Sequence, residues 1–499
     1  MSCDRRDFLS FAVHGLGATA ALSLLMRQGV VTAGVPQESV PPCPHFAAPC
    51  KRVIHIYLCG GLSHLDSFDY KPELTRYHGQ PLPSSEKPET FFGKIGLLRK
   101  NDWEFRQHGA AGLWISDLFP HLAACADELT IIRSMRADSA NHTPATFQAN
   151  TGFRLNGFPV LGAWLSYGMG CEADDLPAYV VLPDPRGMPA GGTINWTNGF
   201  LPARHQGVAF RSKGQPIEDL FPADISAPAT VLRAESEGGP PEVVSPRPVR
   251  YDPERENATR GFIAALNERH RQTRPESELE ARVRSYELAA KMQLSVPAVT
   301  DLSGETQATQ QAYGLNRPET ADFGRRCLLA RRLLEQGVRF VQLFSGGSFG
   351  SPRINWDGHE NVKENHTQEA VRVDQPTATL LRDLRQRGLL DDTLVLFTTE
   401  FGRTPFAQSE ANTLGAGRDH NMYGFSVWMA GGGLKHGVAY GSTDDIGWKA
   451  VERVVTWPDF HATVLHLLGI DHTRLTYYHN GIQRRLTNVH GEVISDILS

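Results

Sequence analysis

Four short stretches concentrate the side chains able to do chemistry. In Gly60-Gly61-Leu62-Ser63-His64-Leu65-Asp66-Ser67-Phe68-Asp69, the glycines let the backbone turn while His64, Asp66 and Asp69 offer metal ligands. Asn141-His142-Thr143-Pro144 sets the Thr143 hydroxyl at a helix start, where free N–H groups attract a tetrahedral anion. Trp356-Asp357-Gly358-His359, with His366 shortly after, brings a carboxylate and an imidazole close enough to share a divalent ion. The fourth group joins Glu400, in Thr399-Glu400-Phe401-Gly402-Arg403, to Asp419-His420, which follows Arg418. Each also has a plainer reading. His142 can cap a helix, Asp69 can pair with Lys71, Arg403 can hold Glu400, and an Asp-x-His in a loop is often only a hydrogen-bonded pair.

These groups act together only if the chain gathers them, and the flanking residues suggest that it does. Short apolar runs precede all four, at 52–58, 129–133, 338–344 and 393–398, with further runs at 178–182 and 425–429. Between them lie helical patterns at 318–335, 375–387 and 459–468. In the first, Phe323, Cys327, Ala330 and Leu334 fall on one face. Strands alternating with helices predict a mostly parallel α/β sheet, whose ligands gather beyond the carboxyl ends of the strands. Residues 203–253 differ, being rich in proline, glycine and mixed charge. Two charged helical stretches broken at Pro275 follow over 253–294, read as solvated faces or a partner surface. The expectation is an insertion or helical cap over 203–317.

The chain has 499 residues, 40% hydrophobic and 21% charged, enough to bury a sizeable core. Its 50 Lys+Arg against 55 Asp+Glu give a net charge of -5, so no general basic field gathers nucleic acid. The seven cysteines contain no Cys-x-x-Cys pair, which removes support for zinc ribbons and thioredoxin-like chemistry. Cys43 and Cys50 flank a proline-rich loop, where a bridge and two free thiols are both open. Asp4-Arg5-Arg6-Asp7-Phe8-Leu9 and the small apolar stretch over 11–26 resemble a twin-arginine export signal, with cleavage near Val31-Thr32-Ala33. The apolar stretch is short for a membrane span. A periplasmic or secreted chain follows, with a signal over 1–33, a linker over 34–51, an α/β domain over 52–499 and no membrane span after cleavage. The export machinery is then a partner.

In order along the chain, the motifs resemble the alkaline phosphatase and sulfatase superfamily, and within it the bacterial family called domain of unknown function 1501. Residues 389–402 resemble the superfamily strand that ends in a metal motif, and 455–470 resemble its late helix. His142-Thr143-Pro144 followed by Asn150-Thr151-Gly152 keeps the spacing of the sulfatase nucleophile motif, with His142 at the cysteine position. The resemblance implies an alkaline phosphatase-like three-layer α/β/α sandwich. It also implies metal ligands at Asp357, His359 and His420, with Glu400 where a ligand aspartate is expected. Phe401 replaces the adjacent ligand histidine, and Cys59-Gly60 replaces the aspartate at the end of the first strand, leaving His64 or Asp66 to substitute.

The leading expectation is an exported hydrolase of phosphate or sulfate esters, with a small-molecule or polysaccharide substrate. A divalent ion (zinc, calcium, magnesium or manganese) is held by residues drawn from His64, Asp66, Asp357, His359, Glu400, Asp419 and His420. Thr143 or a metal-held hydroxide attacks beside His142, and Arg403 or Arg418 offsets charge on the transferred group. The rival is a non-catalytic exported binding protein that keeps the fold and takes an anionic polysaccharide or envelope component.

Overall fold

The run Arg52–Leu58 is a strand whose residues after Arg52 are all buried. Ile54, Ile56 and Leu58 enter one apolar cluster, and Val53 and Tyr57 enter another on the opposite face. Burial on both faces is what a mainly apolar run provides at the centre of a parallel sheet. The computed structural model describes residues 44–83, 88–211, 295–347 and 353–499, together with 261, 265, 288, 291 and 292. The expected export signal over 1–33, Cys43, and most of the expected cap, including the charged stretches over 253–294, lie outside the described residues.

The principal sheet has nine strands: β1 (Arg52–Leu58), β2 (Thr130–Arg136), β3 (Tyr179–Leu182), β4 (Val208–Ala209), β5 (Phe340–Ser345), β6 (Thr393–Thr399), β7 (Phe425–Gly431), β8 (Val438–Tyr440) and β9 (Val455–Thr456). Its order is β8-β2-β7-β6-β1-β5-β3-β4, with β9 also pairing β2. β1 lies parallel to β5 and β6, and only β7 runs against its neighbours, β2 and β6. Strands from both ends of the described chain therefore share one sheet. Because β4 pairs in parallel with β3, residues 208–209, at the start of the expected cap, belong to the sheet edge.

Helices cover both faces: α1 (His142–Thr151), α2 (Leu161–Met169), α3 (Pro318–Glu335), α4 (Val362–Gln386) and α5 (Trp457–Leu467). α3 and α4 pack against the face carrying Ile54, Ile56 and Phe397, and α2 and α5 against the face carrying Val53, Tyr57 and Leu396. In α3 the predicted stripe of Phe323, Cys327, Ala330 and Leu334 is buried. The architecture is the mostly parallel α/β/α sandwich that the alternation of strands and helices predicts. No described helix is long and apolar enough to cross a membrane. Cys50 is buried and donates its thiol hydrogen to the Gly432 carbonyl oxygen.

The core fixes an acid limit on stability. Burial pushes His55 and His205 down to about 3 and His461 to about 4. All three fold as neutral imidazoles, and the unfolded chain takes up their protons near 6.5. Their stabilising contribution is complete above pH 6.5 and is lost as pH falls towards 4 and then 3. Each group costs about 1.4 kcal/mol per pH unit in that window. Urea titrations are expected to show stability falling by roughly 4 kcal/mol per pH unit between pH 6 and 5 from these three groups. Equal midpoints at pH 7 and pH 5 would contradict their neutral burial.

Candidate metal centre

Strands β1, β2, β5 and β6 end on the same edge of the sheet, and the residues just beyond them build the site. Past β1, Gly60 takes φ +117°, and a Cβ there would stand 2.6 Å from the Asp357 nitrogen. Only glycine allows so close an approach. The loop after β5 is pinned to this point, with the Trp356 N–H donating to the Cys59 carbonyl at 2.8 Å. Past β2, α1 begins with His142, capped by the Asn141 side chain on the Thr143 N–H. Past β6, Glu400 is buried, and a hairpin of Gly402–Ala407 with Arg418–Asn421 carries His420 opposite Arg403.

His142, Asp357, His359 and His420 converge, each offering a ligand atom within 4.8 Å of the others. The Asp357 Oδ1 lies 3.3 Å from His142 Nε2, 2.8 Å from His359 Nε2 and 3.3 Å from His420 Nε2. A tetrahedral ion with bonds near 2.1 Å separates its ligands by about 3.4 Å, so the set has the right scale.

The three rings are also oriented. His142 Nδ1 meets Glu400 Oε1 at 2.9 Å, His420 Nδ1 meets the Ala140 carbonyl oxygen at 2.5 Å, and His359 Nδ1 meets Gln408 Oε1. With acceptors on Nδ1, a ring in its neutral form carries its proton there and turns the Nε2 lone pair inwards. His359 Nε2 and His420 Nε2 stand 2.8 Å apart. Two such lone pairs repel unless a cation lies between them, so the donor set fits a metal ion.

Burial opposes charge on Asp357, but the Arg403 guanidinium at 2.7 Å outweighs it and holds the carboxyl far below its usual range. Burial drives His420 well below an ordinary histidine. Burial also works against His142, where hydrogen bonds to Asp357 and Glu400 prevail and raise it.

The remaining expected residues are placed elsewhere or act at one remove. Glu400 does not join the four. Its Oε1 takes the Gly60 N–H at 2.7 Å as well as His142, so it orients a ligand. Asp66 is occupied by Ser63, the Asp102 N–H and Arg418, and His64 Nε2 lies on the Gly447 carbonyl. Asp419 turns its Oδ2 to the Phe92 N–H and its Oδ1 to the His420 N–H. Asp69 pairs with Lys71 at 3.2 Å, the plainer reading of that residue.

Arg418 is spent on Asp66 and the carbonyls of Thr404, Arg99 and Lys100. Arg403 is spent on Asp357, not Glu400, and on the Gly60, Gly61 and Arg418 carbonyls. Neither guanidinium is exposed, so neither is presented to a ligand. Thr143 is half-buried beside His142. Phe401, at the position of the missing ligand histidine, lies 4.4 Å from the His420 ring and walls the site.

The model for the family described as "Protein of unknown function (DUF1501)" matches residues 50–498. The chain belongs to this family. No curated protein matches the DUF1501 chain. Among solved structures, the PsFucS1 sulfatase from Pseudoalteromonas sp. is 12% identical with a TM-score of 0.34, over 94% of this chain and 76% of that one. The lipoteichoic acid synthase LtaP from Listeria monocytogenes is 12% identical with a TM-score of 0.31, over 93% and 80%. The C-terminal periplasmic domain of EcEptC from Escherichia coli, in complex with Zn, is 10% identical with a TM-score of 0.33, over 92% and 99%. At these scores the functional reading of the DUF1501 chain rests on its own side chains.

Proposed function

We propose that the chain is an exported, metal-dependent hydrolase of phosphate or sulfate esters. The observation that carries this reading is the convergence of three oriented Nε2 atoms and one ionised carboxylate oxygen at the carboxyl edge of the sheet. A donor set of three imidazoles and one carboxylate suits zinc or manganese better than calcium or magnesium, which prefer oxygen. A divalent ion bound there supplies Lewis acidity towards an ester oxygen or a water.

The chain's own residues prepare that centre. Arg403 keeps Asp357 ionised, Glu400 holds the His142 proton at Nδ1, and Phe401 excludes water from one side. The His142 side chain is 14% exposed, against 4% or less for the other three, so substrate approaches from the α1 side, where Thr143 lies. Arg353, a quarter exposed, is bonded through one nitrogen to Asp357 Oδ2 and through its other two to Glu360, so it too is committed to carboxylates. Export rests on the Arg5-Arg6 pattern.

The rival, a non-catalytic binding protein, draws support from one observation. Four protein ligands, three of them almost fully buried, resemble the closed set of a structural centre. Metal analysis of the purified mature chain, with assays on aryl phosphates and sulfates, separates the two. One metal per chain with turnover abolished by His420→Ala is expected. Metal without turnover favours the binding protein, and neither metal nor turnover would sink both.

A further inference from the structure

Two large apolar side chains sit where the metal centre meets solvent. Phe91 is 43% exposed and Phe92 50% exposed. Their inner faces nevertheless lie on ligand rings. Phe91 is 4.8 Å from the His420 ring at 30°, and Phe92 is 4.8 Å from the His359 ring at 90°. The two phenyl rings meet each other edge to face at 5.0 Å.

Their position is held by the ligand strand itself. Asp419 accepts the Phe92 N–H at 2.9 Å on one oxygen and the His420 N–H at 2.7 Å on the other, so one carboxylate ties the aromatic pair to a ligand backbone. The Tyr423 hydroxyl donates to Glu89 at 3.4 Å and adds a second tether. Packing among core residues does not account for the pair, because about half of each side chain faces water. What the pair borders is the one cluster of metal-ligating groups found among the described residues.

We propose that Phe91 and Phe92 form a ring-binding platform that sets the specificity of the centre for esters of ring alcohols. This rests on the hydrolase reading of the same site. With Phe91 and Phe92 each 4.8 Å from a ring of the cluster, the alcohol of an ester held at the centre borders the pair, and ring faces attract over about 4.5–7 Å. The tilted Phe91 and perpendicular Phe92 offer such a ring one face and one edge. An aromatic ring and the C–H face of a pyranose share this chemistry, whereas a methyl or other small alkyl ester makes no use of it.

The test compares phenyl, pyranosyl and methyl esters of phosphate and of sulfate on the metal-loaded chain, in the natural sequence and in Phe91→Ala, Phe92→Ala and Phe91→Tyr. The natural protein is expected to prefer ring esters over methyl esters in kcat/KM. Each alanine variant is expected to cut that preference roughly 2- to 12-fold, while Phe91→Tyr, which keeps the ring, retains it. A preference confined to phenyl or to pyranosyl esters identifies which ring the platform takes. Equal losses on methyl and ring esters, or no change in preference, would overturn the proposal.

If no ester is turned over, the hydrolase reading fails, but the platform is still tested by calorimetry with phenylphosphonate and methylphosphonate. Tighter phenylphosphonate binding that disappears in Phe91→Ala supports the platform. Equal affinities, or no binding of either, overturn it.

Discussion

Replacing His142 with alanine is expected to lower the affinity of the chain for zinc by roughly 100- to 1000-fold. The estimate divides the binding free energy of a structural zinc site, about 10–16 kcal/mol, among four ligands, giving about 2.5–4 kcal/mol each. The expectation is specific to the geometry, because His142 stands where the resemblance to sulfatases places a nucleophile. Its Nε2 instead faces Asp357 Oδ1 at 3.3 Å while Glu400 holds its Nδ1. Glu400→Gln keeps an acceptor for that proton but loses the charge, and should cost about 10- to 100-fold, as expected of a group that orients a ligand. Titration calorimetry of the metal-free protein distinguishes the two. Affinity unchanged in His142→Ala would remove that residue from the ligand set. A larger loss in Glu400→Gln than in His142→Ala would make Glu400 the ligand and His142 its partner.

The difference between those residues shows where reading a sequence stops. The centre of the sheet is plain in the chain because strands buried on both faces are mainly apolar, as Val53–Leu58 is apart from His55 and as Leu394–Phe397 is throughout. α3 is equally plain, its expected span matching Pro318–Glu335. The helix expected over 375–387 instead begins at Val362, capped by the Asn361 side chain. Pro376, a residue type common at helix starts, lies inside the helix, and of the charged residues preceding it Lys363 and Glu364 are exposed whereas Glu369 and Asp374 are buried. The reversed direction of β7 leaves no mark in the chain, since a buried strand has the same composition either way.

At the site, Asp357 and His359 are readable from their spacing, and His420 from its place after Arg418-Asp419. Whether a carboxylate reaches the metal or an imidazole beside it depends on one methylene and on packing, so Glu400 is not assignable by type. Gln408 and the Ala140 carbonyl, which orient His359 and His420, carry no local signal at all. Nor do Phe91 and Phe92, which become conspicuous only when they are seen half-exposed against ligand rings.

Arg418 and Asp66 make the complementary case, charged residues 352 positions apart that each look like site residues and are joined to one another instead. Neither side chain has any exposure, and Arg418 Nε meets Asp66 Oδ2 at 3.0 Å. Burial pulls the Arg418 guanidinium down from its usual range. Burial opposes charge on Asp66 as well, but Arg418 and the Ser63 hydroxyl outweigh it and keep the carboxyl below normal.

Removing one member of such a pair leaves the other charged and dry. Arg418→Met should therefore destabilise the fold by roughly 3–5 kcal/mol. The carbonyls of Thr404, Arg99 and Lys100 lose their donors in the same step, which puts the expectation at the upper end of that range. Asp66→Asn, which keeps the shape and loses the charge, should cost stability while leaving one metal per chain. Urea unfolding read beside metal analysis separates the two roles. A fold-stable Asp66→Asn protein that no longer binds metal would return Asp66 to the ligand set and break the four-residue centre proposed here.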